Sequence, residues 1–176
     1  GSVKLILSQD GNRLAILGEK LIMVLDVAYL IDGNAQEYFR SSKLNFDSIV
    51  FSPYKDKIFI IGKDIKLDQK TVTALDSSSG RETNFGPFPA PYLAGKLPLE
   101  ISKDGEYLYL TTPEHLIEIN IPKFGPSAIS RLMKISLKQF SLTGDNKFIY
   151  AIVGDFLEIL DLRSKYALTT FKQDFL

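Results

Sequence analysis

The chain states one phrase four times: an apolar run ending in Ser, a polar turn, then two further apolar runs, the second of which closes on Asp or Asn. Leu5-Ile6-Leu7-Ser8 leads to Asp26, and Ile49-Val50-Phe51-Ser52 leads to Asp76. Leu99-Glu100-Ile101-Ser102 leads to Asn120, and Lys138-Gln139-Phe140-Ser141 leads to Asp161. A unit of this size cannot bury its apolar face alone, so its recurrence calls for an array in which each repeat completes the core of its neighbour.

Within each repeat the second run follows a turn: Asp10-Gly11 before Leu14 to Leu17, Tyr54-Lys55-Asp56 before Ile58 to Ile61, Asp104-Gly105 before Tyr107 to Leu110, and Gly144-Asp145-Asn146 before Phe148 to Ala151. Asp-Gly between apolar runs marks a hairpin, because Gly reaches positive φ without a Cβ clash. Third runs follow at 20–27, 71–76, 116–121 and 156–162, short and rich in Ile, Leu, Val, Phe and Tyr, which favours strands over helices. Fourth strands fit near 35–40, 81–85, 128–134 and 166–172; of these, 127–137 alternates best, with Ile129, Met133 and Ile135 against Ser130, Lys134 and Ser136. The Ser landmarks at 8, 52, 102 and 141 are separated by 44, 50 and 39 residues. Four strands in such a span make the blade of a β-propeller. The expected fold is therefore all-β and propeller-like, a single domain over 1–176 with four four-stranded antiparallel blades near 3–42, 43–95, 96–136 and 137–176.

Ser-x-Asp-Gly before the second strand (Ser8 to Gly11, Ser102 to Gly105) and the apolar-Leu-Asp close of the third (Val24-Leu25-Asp26, Ala74-Leu75-Asp76, Ile159-Leu160-Asp161) resemble the WD-repeat and YVTN-like propeller superfamily. The chain has no Trp and no Gly-His, so the side-chain network those residues form in WD repeats does not carry over. Four blades stand at the sparse end for a propeller, which leaves three arrangements: a self-contained four-bladed ring, an arc of a larger ring completed by other polypeptide, or two such arcs joined into eight blades. An uncapped arc exposes apolar faces and unpaired edges, which attract partners.

Composition narrows the function classes. Lys plus Arg and Asp plus Glu both number 21, so no net field draws the chain to nucleic acid or to an anionic membrane. With 176 residues of which 45% are hydrophobic, a sizeable core is within reach. There is no Cys and one His, which leaves zinc few of its usual ligands and points to an intracellular, cytoplasmic setting. Gly1-Ser2 reads as a cloning remnant, and no signal peptide or membrane-length apolar run is visible.

The turn carboxylates Asp10, Asp104 and Asp145 read as turn formers, since Asp bonds backbone two residues on; ringing a divalent ion is the competing reading. Asp26, Asp76 and Asp161 read the same way at strand ends. His115 beside Glu114 lacks a nameable nucleophile or metal within reach, so it reads as a surface His. No phosphate loop, nucleophile elbow or zinc-helix motif occurs. No catalytic, metal-binding or cofactor-binding residue is assigned, and no cofactor is expected.

The candidate contacts are for protein. Terminal blade faces and edges come first, followed by the loop from Phe85 to Tyr92, in which alternating Pro presents Phe85, Phe88 and Tyr92. Segment 123–138 adds Arg131 and Lys134 to a basic edge without acids. The expected function is a non-catalytic interaction scaffold in a multi-protein assembly, its partners being other proteins, itself, or a chain that completes the propeller. The alternative is a propeller hydrolase or lactonase with carboxylates around a channel-bound metal.

Overall fold

A computed structural model of the protein describes residues 3–18, 21–34, 37–41, 44–53, 57–64, 70–76, 79–85, 99–112, 115–123, 129–134, 139–153, 156–163 and 167–171. Its strands form four separate antiparallel sheets, each a meander of four strands in chain order. The first holds β1 (Lys4–Leu7), β2 (Arg13–Leu17), β3 (Ile22–Asp26) and β4 (Glu37–Ser41). The second holds β5 (Leu44–Phe51), β6 (Lys57–Asp64), β7 (Lys70–Asp76) and β8 (Glu82–Phe85). The third holds β9 (Leu99–Ile101), β10 (Tyr107–Thr111), β11 (His115–Asn120) and β12 (Ile129–Lys134), and the fourth β13 (Gln139–Leu142), β14 (Phe148–Val153), β15 (Phe156–Asp161) and β16 (Ala167–Phe171). The fold is all-β with propeller-like blades, as the repeated phrase requires.

The chain divides into two compact units, Gly1–Ala90 and Pro91–Leu176, each containing two sheets. In the first unit one apolar cluster joins sheets 1 and 2. It contains Ala15, Leu17, Ile22 and Val24 from sheet 1 and Ile49, Phe51, Ile58, Ile60 and Leu75 from sheet 2. In the second, Tyr109 and Leu116 of sheet 3 meet Phe140, Ile149, Ala151 and Leu160 of sheet 4. Strand periodicity explains both: alternate residues of the inner strands face one neighbour and the intervening residues face away. A bulge lies between the third and fourth strands of three sheets, at Val24/Leu25, Glu118/Ile119 and Ile159/Leu160, adding local twist at a repeated position.

Two local features differ from expectation. Val27–Ile31 forms a short helix, α1, rather than prolonging the third strand, because the Asp26 carboxylate accepts the Ala28 amide and caps it. In the fourth repeat the turn hydroxyl is Thr143 and not Ser141. Ser8, Ser52, Ser102 and Thr143 each donate their amide to the carbonyl five residues on, at Arg13, Lys57, Tyr107 and Phe148. Ser141 instead sits within β13, paired with Tyr150. The spacing from hydroxyl to second strand is thus uniform across the repeats.

Candidate functional site

The turns come first, because they hold the repeated carboxylates. Ser8 Oγ donates to Asp10 Oδ1 at 2.6 Å and accepts the Arg13 amide at 2.9 Å, while Asp10 Oδ1 also accepts the Asn12 amide at 3.1 Å. Ser102, Asp104, Glu106 and Tyr107 repeat this in sheet 3 at 2.5, 2.9 and 3.0 Å for the hydroxyl donation, the Tyr107 amide and the Glu106 amide. Thr143, Asp145, Lys147 and Phe148 repeat it in sheet 4 at 2.6, 3.1 and 3.1 Å, in the order hydroxyl donation, Lys147 amide, Phe148 amide. Each turn also needs one residue at positive φ. Gly11 and Gly105 supply it at 73° and 69°, and Asn146 takes the same place at 57°. The Asn146 side chain then accepts the Lys103 amide at 2.8 Å, tying the turn of sheet 4 to that of sheet 3.

Each of these carboxylates therefore gives one oxygen, Oδ1, to the turn hydroxyl and a backbone amide. The strand-end acids also bond the backbone: Asp26 accepts from Ala28, Asp76 from Ser79 and Asp161 from Arg163, all from backbone amides. Among the described residues, no three acidic or His side chains gather closely enough to hold a metal ion.

The donors shift the acids as hydrogen bonding to a charged form should. The Ser8 hydroxyl, then the Asn12 amide, hold Asp10 below its ordinary value. The Thr143 hydroxyl, then the Lys147 amide, hold Asp145 down at about 2. With the folded value below the unfolded one, this carboxylate favours the native state above pH ~4, and the contribution disappears as pH falls toward the folded value. Asp145→Asn is accordingly expected to flatten the acid limb of a melting-temperature profile between pH 6 and 2. An unchanged acid limb counts against the assignment.

Phe85 ends β8, the edge strand of sheet 2, opposite Val72. Phe88 and Tyr92 lie outside the described residues. Arg131 and Lys134 occupy β12, the edge of sheet 3, opposite Glu118 and His115. His115 opens β11 and is half-buried, and its amide donates to the Thr112 hydroxyl at 2.9 Å, so it is a strand residue and not a loop one.

The surface with most to offer is the face of sheet 1 built from β1 and β2. Leu5 pairs with Ile16 and Leu7 with Leu14, which places all four on one side of the sheet. Leu5 is 66% and Leu7 57% exposed, and Leu14, Ile16 and Met23 are half-buried. Counting from the turn hydroxyl, the equivalents of Leu5 and Leu7 in sheet 2 are Ile49 and Phe51, which are 5% and 8% exposed. In sheet 4 the equivalent of Leu5 is Phe140, also 5% exposed. The sequence reading located terminal blade faces in general but did not single out these residues. Val3, Leu5 and Leu7 alternate just as Ile49 and Phe51 do, so nothing local distinguishes a covered strand from an open one.

Neither a protein-family model nor a curated protein sequence matches the chain. Among solved structures, 533 chains match in fold, so the architecture is too widely shared to fix a function. One of them, Kuenenia stuttgartiensis hydrazine synthase, superposes with a TM-score of 0.70 at 14% identity over 94% of this chain. The match covers 47% of that protein, so the chain spans about half of its length, and the likeness is one of fold.

Proposed function

We propose that the chain is a divergent member of the WD-repeat and YVTN-like propeller superfamily and serves inside the cell, in the cytoplasm, as a non-catalytic platform that docks protein. The observation that carries the docking role is the open apolar face of sheet 1, where Leu5 and Leu7 are exposed although both positions are buried in sheet 2 and that of Leu5 is buried in sheet 4 as well. A contiguous apolar patch on an otherwise charge-balanced protein marks a contact surface. The recurring acids, which would have to supply an enzyme's chemistry, are engaged in turns and caps. The absence of Cys fits a reducing compartment.

The test is affinity purification of tagged protein from its native source, comparing the natural sequence with a Leu5→Asp/Leu7→Asp variant. Because both residues are exposed, the variant is expected to keep its melting temperature within a few degrees and to lose specific co-purifying proteins or its own self-association. The same co-purifying set and the same solution mass in both samples would set the reading aside.

A further inference from the structure

Each unit contains a sheet-to-sheet joint, and the two examples define what covers a face like that of Leu5 and Leu7. In the first unit, Ile49 and Phe51 of sheet 2 are covered by Ala15, Leu17, Ile22 and Val24 of sheet 1. In the second, Phe140 of sheet 4 is covered by Tyr109 and Leu116 of sheet 3. The covering residues are equivalent: Ala15 and Tyr109 both lie seven positions beyond their turn hydroxyls, Ser8 and Ser102, and Ile22 and Leu116 both lie four positions before the last residue of the third strand, Asp26 and Asn120. A leading face of first-strand residues is thus seated each time on the trailing face of another sheet.

Sheet 4 has a trailing face of its own. Tyr150 lies seven positions beyond Thr143 and pairs with Ile159, while Ile152 pairs with Leu157. Tyr150 is 47% exposed where its counterparts Ala15 and Tyr109 are buried, and Ile152, Leu157 and Ile159 are half-buried. One chain therefore carries both halves of the joint, each open: a leading face on sheet 1 and a trailing face on sheet 4. With 21 basic and 21 acidic residues, two copies meet without net repulsion. Tyr150 supplies a broad aromatic anchor of the kind that dominates contact energies.

We propose that the leading face formed by Leu5, Leu7, Leu14 and Ile16 docks on the trailing face formed by Tyr150, Ile152, Leu157 and Ile159 of a second copy of this chain. This rests on the docking role proposed above and names its partner. The contact is head-to-tail, so it forms a closed assembly if the rotation per copy closes and a growing one if it does not.

Light scattering across a concentration range is expected to show the weight-average mass of the natural sequence rising to at least twice that of one chain. Leu5→Asp/Leu7→Asp and Tyr150→Asp are each expected to weaken association at least tenfold. Mixing the two variants restores one joint with both halves native, so the mixture regains dimers that neither forms alone. Because the natural sequence has no Cys, a second measurement avoids charged substitutions: Leu5→Cys mixed with Tyr150→Cys, treated with a short thiol-reactive cross-linker, is expected to give a covalent heterodimer in at least fivefold excess over either variant alone.

A natural chain that is monomeric throughout the range, a Tyr150→Asp variant that associates like the natural one, or a mixture that fails to recover dimers each overturns the proposal. Monomeric mass combined with loss of co-purifying proteins in Leu5→Asp/Leu7→Asp removes the second copy and leaves the docking role standing. No change in either removes both.

Discussion

Phe140→Ala is expected to cost about 3–5 kcal/mol of stability, whereas Leu5→Ala, at the equivalent position of another sheet, is expected to cost less than about 0.5 kcal/mol. Both are apolar side chains in a first strand, three residues before the turn hydroxyl. Phe140 packs into the cluster containing Tyr109 and Leu116 and is 5% exposed, so truncating it removes buried aromatic surface and opens a cavity. Leu5 already meets water over most of its surface, so its truncation gives up little that folding had buried. Urea unfolding followed by far-ultraviolet circular dichroism, at a protein concentration low enough to keep the chain monomeric, measures both. Equal costs would mean that joints between sheets are not where this fold keeps its stability, and the argument for an open joint would fail with them.

That contrast also marks what could be read from the sequence. The second and third strands were legible because β-branched and aromatic runs lie between turn residues whose chemistry is specific, as at Asp10-Gly11 and Asp104-Gly105. The fourth repeat was harder, since Ser141 matches the other landmarks by residue type whereas Thr143 matches them by hydroxyl, by spacing and by hydrogen bond. Aligning backward from the turn acid, with Thr143-x-Asp145 set beside Ser8-x-Asp10, would have found it. The helix α1 left no signal, because five residues are too few to show a 3.6-residue period and Asp26 caps a helix with the same chemistry it would use to close a hairpin. Of the candidate contacts, Phe85, Arg131 and Lys134 were attractive as exposed letters. Whether such residues form one surface depends on register and neighbours, which residue type alone does not reveal. The leading face of sheet 1 was hidden for the opposite reason: Leu5 and Leu7 look like any core strand, and only the neighbouring sheet decides whether they are core.

Ser102→Ala is expected to destabilise the protein by about 1–3 kcal/mol, and Ser8→Ala by less than half as much, although the two hydroxyls make the same bonds. Each donates to a turn carboxylate and accepts the amide that opens the second strand, Tyr107 in one case and Arg13 in the other. Burial separates them. Ser102 is 1% exposed, so its removal takes the acceptor from the Tyr107 amide in a place where water does not readily substitute, and the full desolvation cost of that amide is felt. Ser8 is half-buried in a sheet whose leading face is open, so water can take up the Arg13 amide and the Asp10 carboxylate. The same openness that makes Leu5 cheap to truncate should thus make Ser8 cheap to replace, and covering that face with a second copy should raise the cost of Ser8→Ala toward that of Ser102→Ala. Thermal melts of both variants at low and high protein concentration compare these values directly. A Ser8→Ala cost that is already as large as that of Ser102→Ala in the monomer would show that the turn of sheet 1 is shielded from water, contrary to the exposure of the strand beside it.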